Sequence, residues 1–346
     1  MADRRRRLHL SESKLPQVSI VIVNYNGGDL LQDCVGSIVK FTQSFEIILV
    51  DNASTDGSSQ RLGELFPRVR IVRNDQNLGF AKANNIGLRQ SRGRYVVLMN
   101  PDVFVTEDWL DRLASCMGKD PRIAVATPKL LRRDGILDST GHVFRFIRLE
   151  ARNRGEEEAD HGQYDNLTEL LSCDFACSII RREVITQIGL LDDSIFLDHE
   201  DIDFCLRARI AGWRVVFCPS SIVYHRRGGS RPRAGSRTRQ RRARRYMLRL
   251  SLKNYSLGSI WQVLLYKERE LLSFLLDLLT SLRDRDMDRV RFNLDEASAL
   301  FMAFFWNALH LPIAERVAVQ AFRQIDDNQL RLISSLTIPS DALTYQ

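Results

Sequence analysis

Nowhere in these 346 residues do two cysteines form a CxxC pair. The six present, Cys34, Cys116, Cys173, Cys177, Cys205 and Cys218, lie scattered, mostly inside apolar stretches. That usage argues for a reduced, cytosolic chain over a disulfide scaffold. The N-terminus, MADRRRRLHLSESK, has arginines but no apolar core, so no signal peptide is expected. No GxGxxG follows the first apolar run and no Walker lysine occurs, which removes two common phosphate-binding loops. Acid is missing from one place: residues 226–245 hold ten Arg and no Asp or Glu. The net charge of +7 therefore leaves −3 for the remainder, and any anionic partner is met locally.

What is present is an alternation of β-branched runs and helical periods. Val18 to Val23 reads as a buried parallel strand, closed by the turn Asn24-Tyr25-Asn26-Gly27-Gly28. A helix over Asp29–Lys40 and a strand over Phe45–Val50 follow, the strand ending in Asp51-Asn52-Ala53-Ser54. A helix to Phe66, a strand over Val69–Val72 and a helix over Ala81–Gln90 come next. Tyr95–Met99 is a strand ending in Asn100-Pro101-Asp102. Thr106 is placed to cap a helix running to Met117, before a fifth strand over Ile123–Ala126. This rhythm predicts an open α/β sheet with helices on both faces and a site at the carboxyl ends of the strands. The polar clusters stand at those ends. Tyr25 suits stacking on a nucleobase, and Asp51 can accept from a base N–H; both also suit ordinary turns.

The densest chemistry is FLDHEDIDFCLRAR, Phe196 to Arg209. Asp198, His199, Glu200, Asp201 and Asp203 stand among apolar neighbours, with a helix predicted to begin near Asp201. Acids there cap a helix or form a catalytic carboxylate site. Asp102, on a strand end stiffened by Pro101, suits a hard divalent cation or an Asn-Pro turn. His225 ends the apolar run Ile222-Val223-Tyr224 and precedes Arg226, Arg227, Gly228 and Gly229, a composition that suits a lid over a diphosphate. Arg132 to Asn166 reads as irregular. Leu170 to Ile180 returns to strand character, with Asp174 an acceptor-side candidate.

VSIVIVNYNGG, ILVDNASTDGS, NLGFAKANNIGL, GRYVVLMNPDV, HEDIDFCLRARIAGW and VYHRRGGS occur in the order and spacing of family 2 glycosyltransferases. From Val18 to Ser230 the chain resembles that family, and the NPDV variant resembles its rhamnosyltransferase-like subgroup of bacterial cell-surface glycan synthesis. The resemblance implies a GT-A fold, a Rossmann-like and mostly parallel sheet flanked by helices. It implies inverting transfer of a sugar, L-rhamnose favoured, from a nucleotide diphosphate such as dTDP-L-rhamnose to a glycan or lipid-linked glycan. Carried over, Val23, Tyr25, Asn26, Asp51, Asn84, Asn100 and Asp102 would line the donor site. Asp102 and His225 would hold Mg²⁺ or Mn²⁺. Asp201 would be the base, with Asp174, Glu200 and Trp213 on the acceptor side. Asn100 stands where the family's full DxD has its first acid, and Ala176-Cys177 stand where relatives often have Gly-Ala. Another hexosyl- or galactofuranosyltransferase, or a non-catalytic nucleotide-sugar-binding partner, fits the same motifs less fully.

The organisation expected is a basic flexible segment at 1–16, a catalytic domain at 17–230 and an Arg-rich linker with a helical extension at 231–346. Tyr246–Tyr255, Ile260–Leu282 and Ala297–Leu309 carry apolar residues at helical spacing. The last is uncharged but is broken by Asn307, His310 and Pro312, too short to span a membrane. Arginines beside Trp- and Phe-rich amphipathic helices suit an anionic membrane surface, on the inner face of the plasma membrane. Packing on the catalytic core or a dimer interface are the other readings of these helices. Few aromatics interleave the arginines and no recognition module is visible, which weighs against nucleic acid.

Overall fold

A computed structural model describes residues 17–132, 134–166, 168–227 and 237–337. The basic segment at 1–16 and the expected lid glycines Gly228 and Gly229 lie outside the described residues. In chain order the first elements are β1 (Val18–Asn24), α1 (Gly28–Phe41), β2 (Phe45–Asp51), α2 (Ser58–Leu65), β3 (Arg70–Arg73), α3 (Phe80–Gln90), β4 (Tyr95–Met99) and β5 (Val103–Val105). Next come α4 (Trp109–Lys119), β6 (Ile123–Leu131), β7 (Leu137–Ser139), β8 (His142–Arg145), β9 (Glu150–Asn153), β10 (Glu169–Leu170) and β11 (Cys177–Arg181). The remainder is α5 (Arg182–Ile188), α6 (Glu200–Ile210), β12 (Arg214–His225), α7 (Arg237–Asn254), α8 (Leu257–Arg283), α9 (Met287–Leu309), α10 (Ile313–Ala321) and α11 (Asp327–Ser335).

One sheet organises the molecule, in the order β10-β12-β6-β11-β4-β1-β2-β3. The half built from β4, β1, β2 and β3 is parallel, as continuous β-branched runs buried on both faces require. The other half is mixed: β11 runs antiparallel between β4 and β6. The wholly parallel rhythm therefore breaks at β11, whose chain returns from a long excursion instead of a crossover helix. That excursion, expected to be irregular from Arg132 to Asn166, contains β7 on the edge of β6 and the hairpin β8–β9. Thr106 does not cap α4. Its hydroxyl donates to the Ile222 carbonyl at 2.7 Å, and Asp108 takes the position before the helix.

Two apolar clusters fill the faces of the sheet. One packs α1 and α4 beneath β1, β4 and β6; the other packs α3, α5 and α6 on the opposite side. A third joins α6 and the β8 hairpin to the C-terminal helices, through Ile202, Leu206, Met247, Leu250, Tyr255 and Val263. The extension thus shares a core with the sheet's helices. Its polar seam is Asp203, fully buried, which meets Lys253 at 2.7 Å and Arg207 at 2.9 Å. Lys253 also meets Asp192 at 2.6 Å, and Arg249 meets Asp192 at 3.1 Å. Burial works against the Asp203 carboxylate, but Lys253 and Arg207 outweigh it and hold its pKa below the ordinary value.

Candidate active site

The carboxyl ends of β1, β4 and β12 and the start of α6 enclose a cleft of about 560 Å³. Its first wall is the β1–α1 turn. The Asn24 amide donates to the hydroxyls of Ser54, Ser58 and Ser59 at 3.0, 2.9 and 3.0 Å, and its Oδ1 accepts from the Gly27 N–H at 3.1 Å. A Cβ at Gly27 would stand 2.4 Å from that Oδ1, so the turn needs glycine there. This brace leaves Val23 and Tyr25 lining the cleft, with Tyr25 39% exposed and able to offer its ring. Asn26 is used differently from expectation. Its Oδ1 accepts from the Thr55 N–H at 2.8 Å, which holds the facing loop. Asp51 ends β2 and accepts from the Ser54 N–H at 3.2 Å, while its neighbour Asn52 lines the cleft. Asn84 is buried in α3, its amide donating to the Phe80 carbonyl at 3.0 Å, and is not among the lining residues.

Asn100, Pro101 and Asp102 line the cleft after β4. The short strand β5 follows at once and pairs with the end of β12, His225 opposite Val103. That ladder sets His225 Nε2 3.3 Å from Asp102 Oδ1. The other ring nitrogen, Nδ1, lies 2.7 Å from Asp138 Oδ2 on β7, and Asp138 is fully buried. Arg227 and Arg132 also pair with Asp138. Burial disfavours a cation on His225, but Asp102 and Asp138 outweigh it and lift its pKa to about 9. A carboxylate oxygen and an imidazole nitrogen converging here, the imidazole oriented by a second carboxylate, form a donor set that fits Mg²⁺ or Mn²⁺. Among the described residues no group of three or more such ligands gathers, so other oxygens would come from the ligand.

The opposite wall begins with two successive left-handed residues, Asp198 (φ 67°) and His199 (φ 80°), which turn the chain into α6. Glu200 and Asp201 then stand at the first turn of α6, with Asp174 near them on the loop before β11. Burial first, and then the Asp174 carboxylate, raise the Asp201 pKa to about 8. Burial and Asp201 push Glu200 well above the carboxylate range. The Asp201 Oδ1 accepts from the Ile202 N–H at 2.7 Å, and its Oδ2 lies 4.0 Å from His142 Nε2. His142 is buried, which lowers its pKa, and its Nδ1 meets the Ser172 hydroxyl at 3.1 Å. Trp213 is not brought here. It precedes β12 at the far end of the sheet and donates to Gln187 Oε1 at 2.7 Å.

The cleft therefore has Asp102, backed by His225, on one side and the carboxyls of Asp174, Glu200 and Asp201 on the other. Asp138, His142, Arg239 and Arg242 were not singled out from the sequence. The first two lie in the stretch without periodicity, and the two arginines are indistinguishable from their eight neighbours by composition.

The architecture is that of a GT-A fold. The structure of GalNAc-T7 with UDP, GalNAc and Mn²⁺ superposes with a TM-score of 0.55 at 18% identity, over 70% of this chain and 48% of that one. Residues 19–189 match the model of glycosyl transferase family 2. It is 30% identical over 242 residues to an uncharacterized protein y4gI of Sinorhizobium fredii, covering 66% of this chain and 26% of that protein. It is 29% identical to the O-antigen biosynthesis protein RfbC of Myxococcus xanthus, over 62% of this chain and 18% of that one. To the N-acetylglucosaminyl-diphospho-decaprenol L-rhamnosyltransferase of Mycobacterium tuberculosis it is 28% identical, over 61% of this chain and 76% of the relative.

Proposed function

We propose that this cleft is the active site of an inverting glycosyltransferase of glycan biosynthesis. It would move a sugar from a nucleotide diphosphate to a hydroxyl of a glycan or lipid-linked glycan. The observation that carries the reading is one cleft lined by both Asp102, which His225 meets from behind the wall at 3.3 Å, and a half-buried carboxyl, Asp201, whose pKa is raised to about 8. Inversion needs a base on the acceptor face and charge neutralisation on the leaving face. Asp201 takes the proton from the acceptor hydroxyl, and Asp174 keeps its basicity high. Tyr25 and Val23 receive the nucleobase. Mg²⁺ or Mn²⁺ held by Asp102 and His225 would supply the charge that stabilises a departing diphosphate. In the cation's absence Asp102 and Asp138 retain a proton on His225.

The relative's name favours L-rhamnose from dTDP-L-rhamnose as the donor sugar. A thermal-shift panel of nucleotide sugars with Mn²⁺ tests this, because a ligand at 100 times its Kd adds about 2.7 kcal/mol of stability. A shift with dTDP-L-rhamnose alone supports rhamnosyl transfer; a shift only with UDP- or GDP-hexoses redirects the reading to a hexosyltransferase. Transfer should vanish in EDTA and return with Mn²⁺ or Mg²⁺. Full turnover in EDTA removes the cation from the mechanism.

We also propose that the protein works on the inner face of the plasma membrane. Leu272, Leu275, Leu276 and Leu279 of α8 and Phe301, Met302, Phe305 and Leu309 of α9 are exposed, at spacings that align them along each helix. Among the described residues no single helix is long and apolar enough to cross a bilayer. Much of the arginine block is neutralised internally. Arg237 and Arg241 pair with Asp295, and Arg244 pairs with Glu270 and Glu296. The apolar stripes, more than the arginines, support surface binding.

A further inference from the structure

The first turns of α7 sort their arginines onto two faces. Arg237, Arg241 and Arg244 turn toward acids of α8 and α9. Arg239 and Arg242, three residues apart and so on one face, line the cleft instead. Arg239 meets Asp198 at 2.9 and 3.4 Å. The Arg242 guanidinium lies 5.2 Å from the centre of the Phe196 ring and has no carboxylate partner among the described residues. Arg152 of β9 lines the same cleft, exposed, and likewise has no carboxylate partner among the described residues. Phe196 is itself fixed, its carbonyl accepting from the Phe80 N–H at 2.6 Å at the start of α3. Arg239 and Arg242 therefore stand between the start of α3 and the start of α6, the latter carrying Asp201, and Arg152 faces the same cleft.

We propose that Arg239 and Arg242, with Arg152, form a clamp for a phosphoryl group, contributed to the transfer cleft by the C-terminal extension. A guanidinium fork matches phosphate oxygens in two-point contact, and stacking on an aromatic face pre-orients it. Arg239, held by Asp198, is fixed in the same way by an ion pair. The inference rests on the transfer reading of the cleft, which supplies two phosphoryl groups: the donor's diphosphate and the phosphate of a lipid-linked acceptor. Both present the same chemistry to the arginines.

The test is calorimetric titration of the full chain with Mn²⁺ present. The probes are inorganic pyrophosphate, dTDP and UDP for the donor, and farnesyl diphosphate against farnesol for the acceptor. The pair Arg239→Gln with Arg242→Gln should weaken pyrophosphate and one of the two diphosphate classes by about tenfold or more, with farnesol unchanged. A loss in dTDP or UDP assigns the clamp to the donor; a loss in farnesyl diphosphate assigns it to the acceptor. Arg242→Gln alone, at an exposed side chain, reads the same effect should the double variant be unstable. Arg237→Gln with Arg241→Gln, on the other face of α7, is the control for general charge. The clamp is overturned when the cleft variants bind every probe as the wild type does, or when the control pair loses as much. Wild-type protein that binds pyrophosphate through the pair yet no nucleoside diphosphate sinks the transfer reading and leaves the clamp standing.

Discussion

Asp201 and Asp203 stand two residues apart on α6 and meet opposite fates. Asp203 points into the seam with α7, where Lys253 and Arg207 keep it ionised. Asp201 faces the cleft, and burial with Asp174 beside it keeps its proton to about pH 8. Asp201→Asn keeps the shape and removes the base, so kcat should fall by at least about 10²-fold while donor affinity stays within a few-fold. A loss of donor binding with chemistry intact would move the base elsewhere, Asp174 first. The folded pKa lies above the ordinary carboxylate value, so ionisation of Asp201 opposes folding. That cost grows as pH rises from the unfolded pKa, about 4, to about 8, and then levels. The Tm advantage of Asp201→Asn over the wild type should therefore widen across that window, and kcat/KM of the wild type should fall as pH drops below about 8. A Tm difference flat with pH would contradict the raised pKa. Asp138 acts on the other pole through His225. Asp138→Asn should weaken Mn²⁺ binding by about 10- to 100-fold, measured by titration calorimetry, with the fold retained by circular dichroism. Asp102, Asp201 and His225 stand out in the sequence as candidates because each closes or opens a strongly periodic segment. Asp138 was not, because LDS is too short for any period to show, and its role exists only through a residue on another strand.

At the scale of elements, the parallel half of the sheet was readable from its β-branched runs, and β4 has the bounds expected. The antiparallel β11 was not, because CSIIR is as apolar as a parallel strand and direction leaves no mark on composition. The β8–β9 hairpin was missed for the opposite reason: EARN is polar and held by pairing with HVFR. The resemblance puts Trp213 on the acceptor side, but a turn at Gly212 (φ 82°) sends it to the other end of the sheet. The α6–α7 seam is testable by itself. Lys253→Met leaves Asp192 and Asp203 buried with one cation fewer, and should cost about 3–5 kcal/mol in denaturant unfolding. A cost under about 1 kcal/mol would mean that water or Arg249 makes good the loss.

At the scale of the molecule, the shared core of α6 with α7, α8 and α10 bears on how membrane binding is measured. Removing 231–346 would strip Met247, Leu250 and Tyr255 from that core, and lost binding would then report unfolding. Leu275→Ser, Leu276→Ser and Leu279→Ser act on exposed positions instead. Together they should reduce sedimentation with anionic liposomes several-fold and leave the Tm near that of the wild type. Undiminished sedimentation would assign these stripes to something other than lipid, a second copy of the chain being the case that light scattering would reveal.

The ladder between β5 and β12 has a bearing on biosynthesis. Val103 and His225 are remote in sequence, and the pairing that joins them closes a long loop at high entropic cost. It can form only after the whole of β12 has left the ribosome. β1, β2 and β4 all precede residue 100, so a growing chain contains them long before Asp102 and His225 can meet. On the proposed cation site, competence to hold the metal would therefore arrive only with that late pairing.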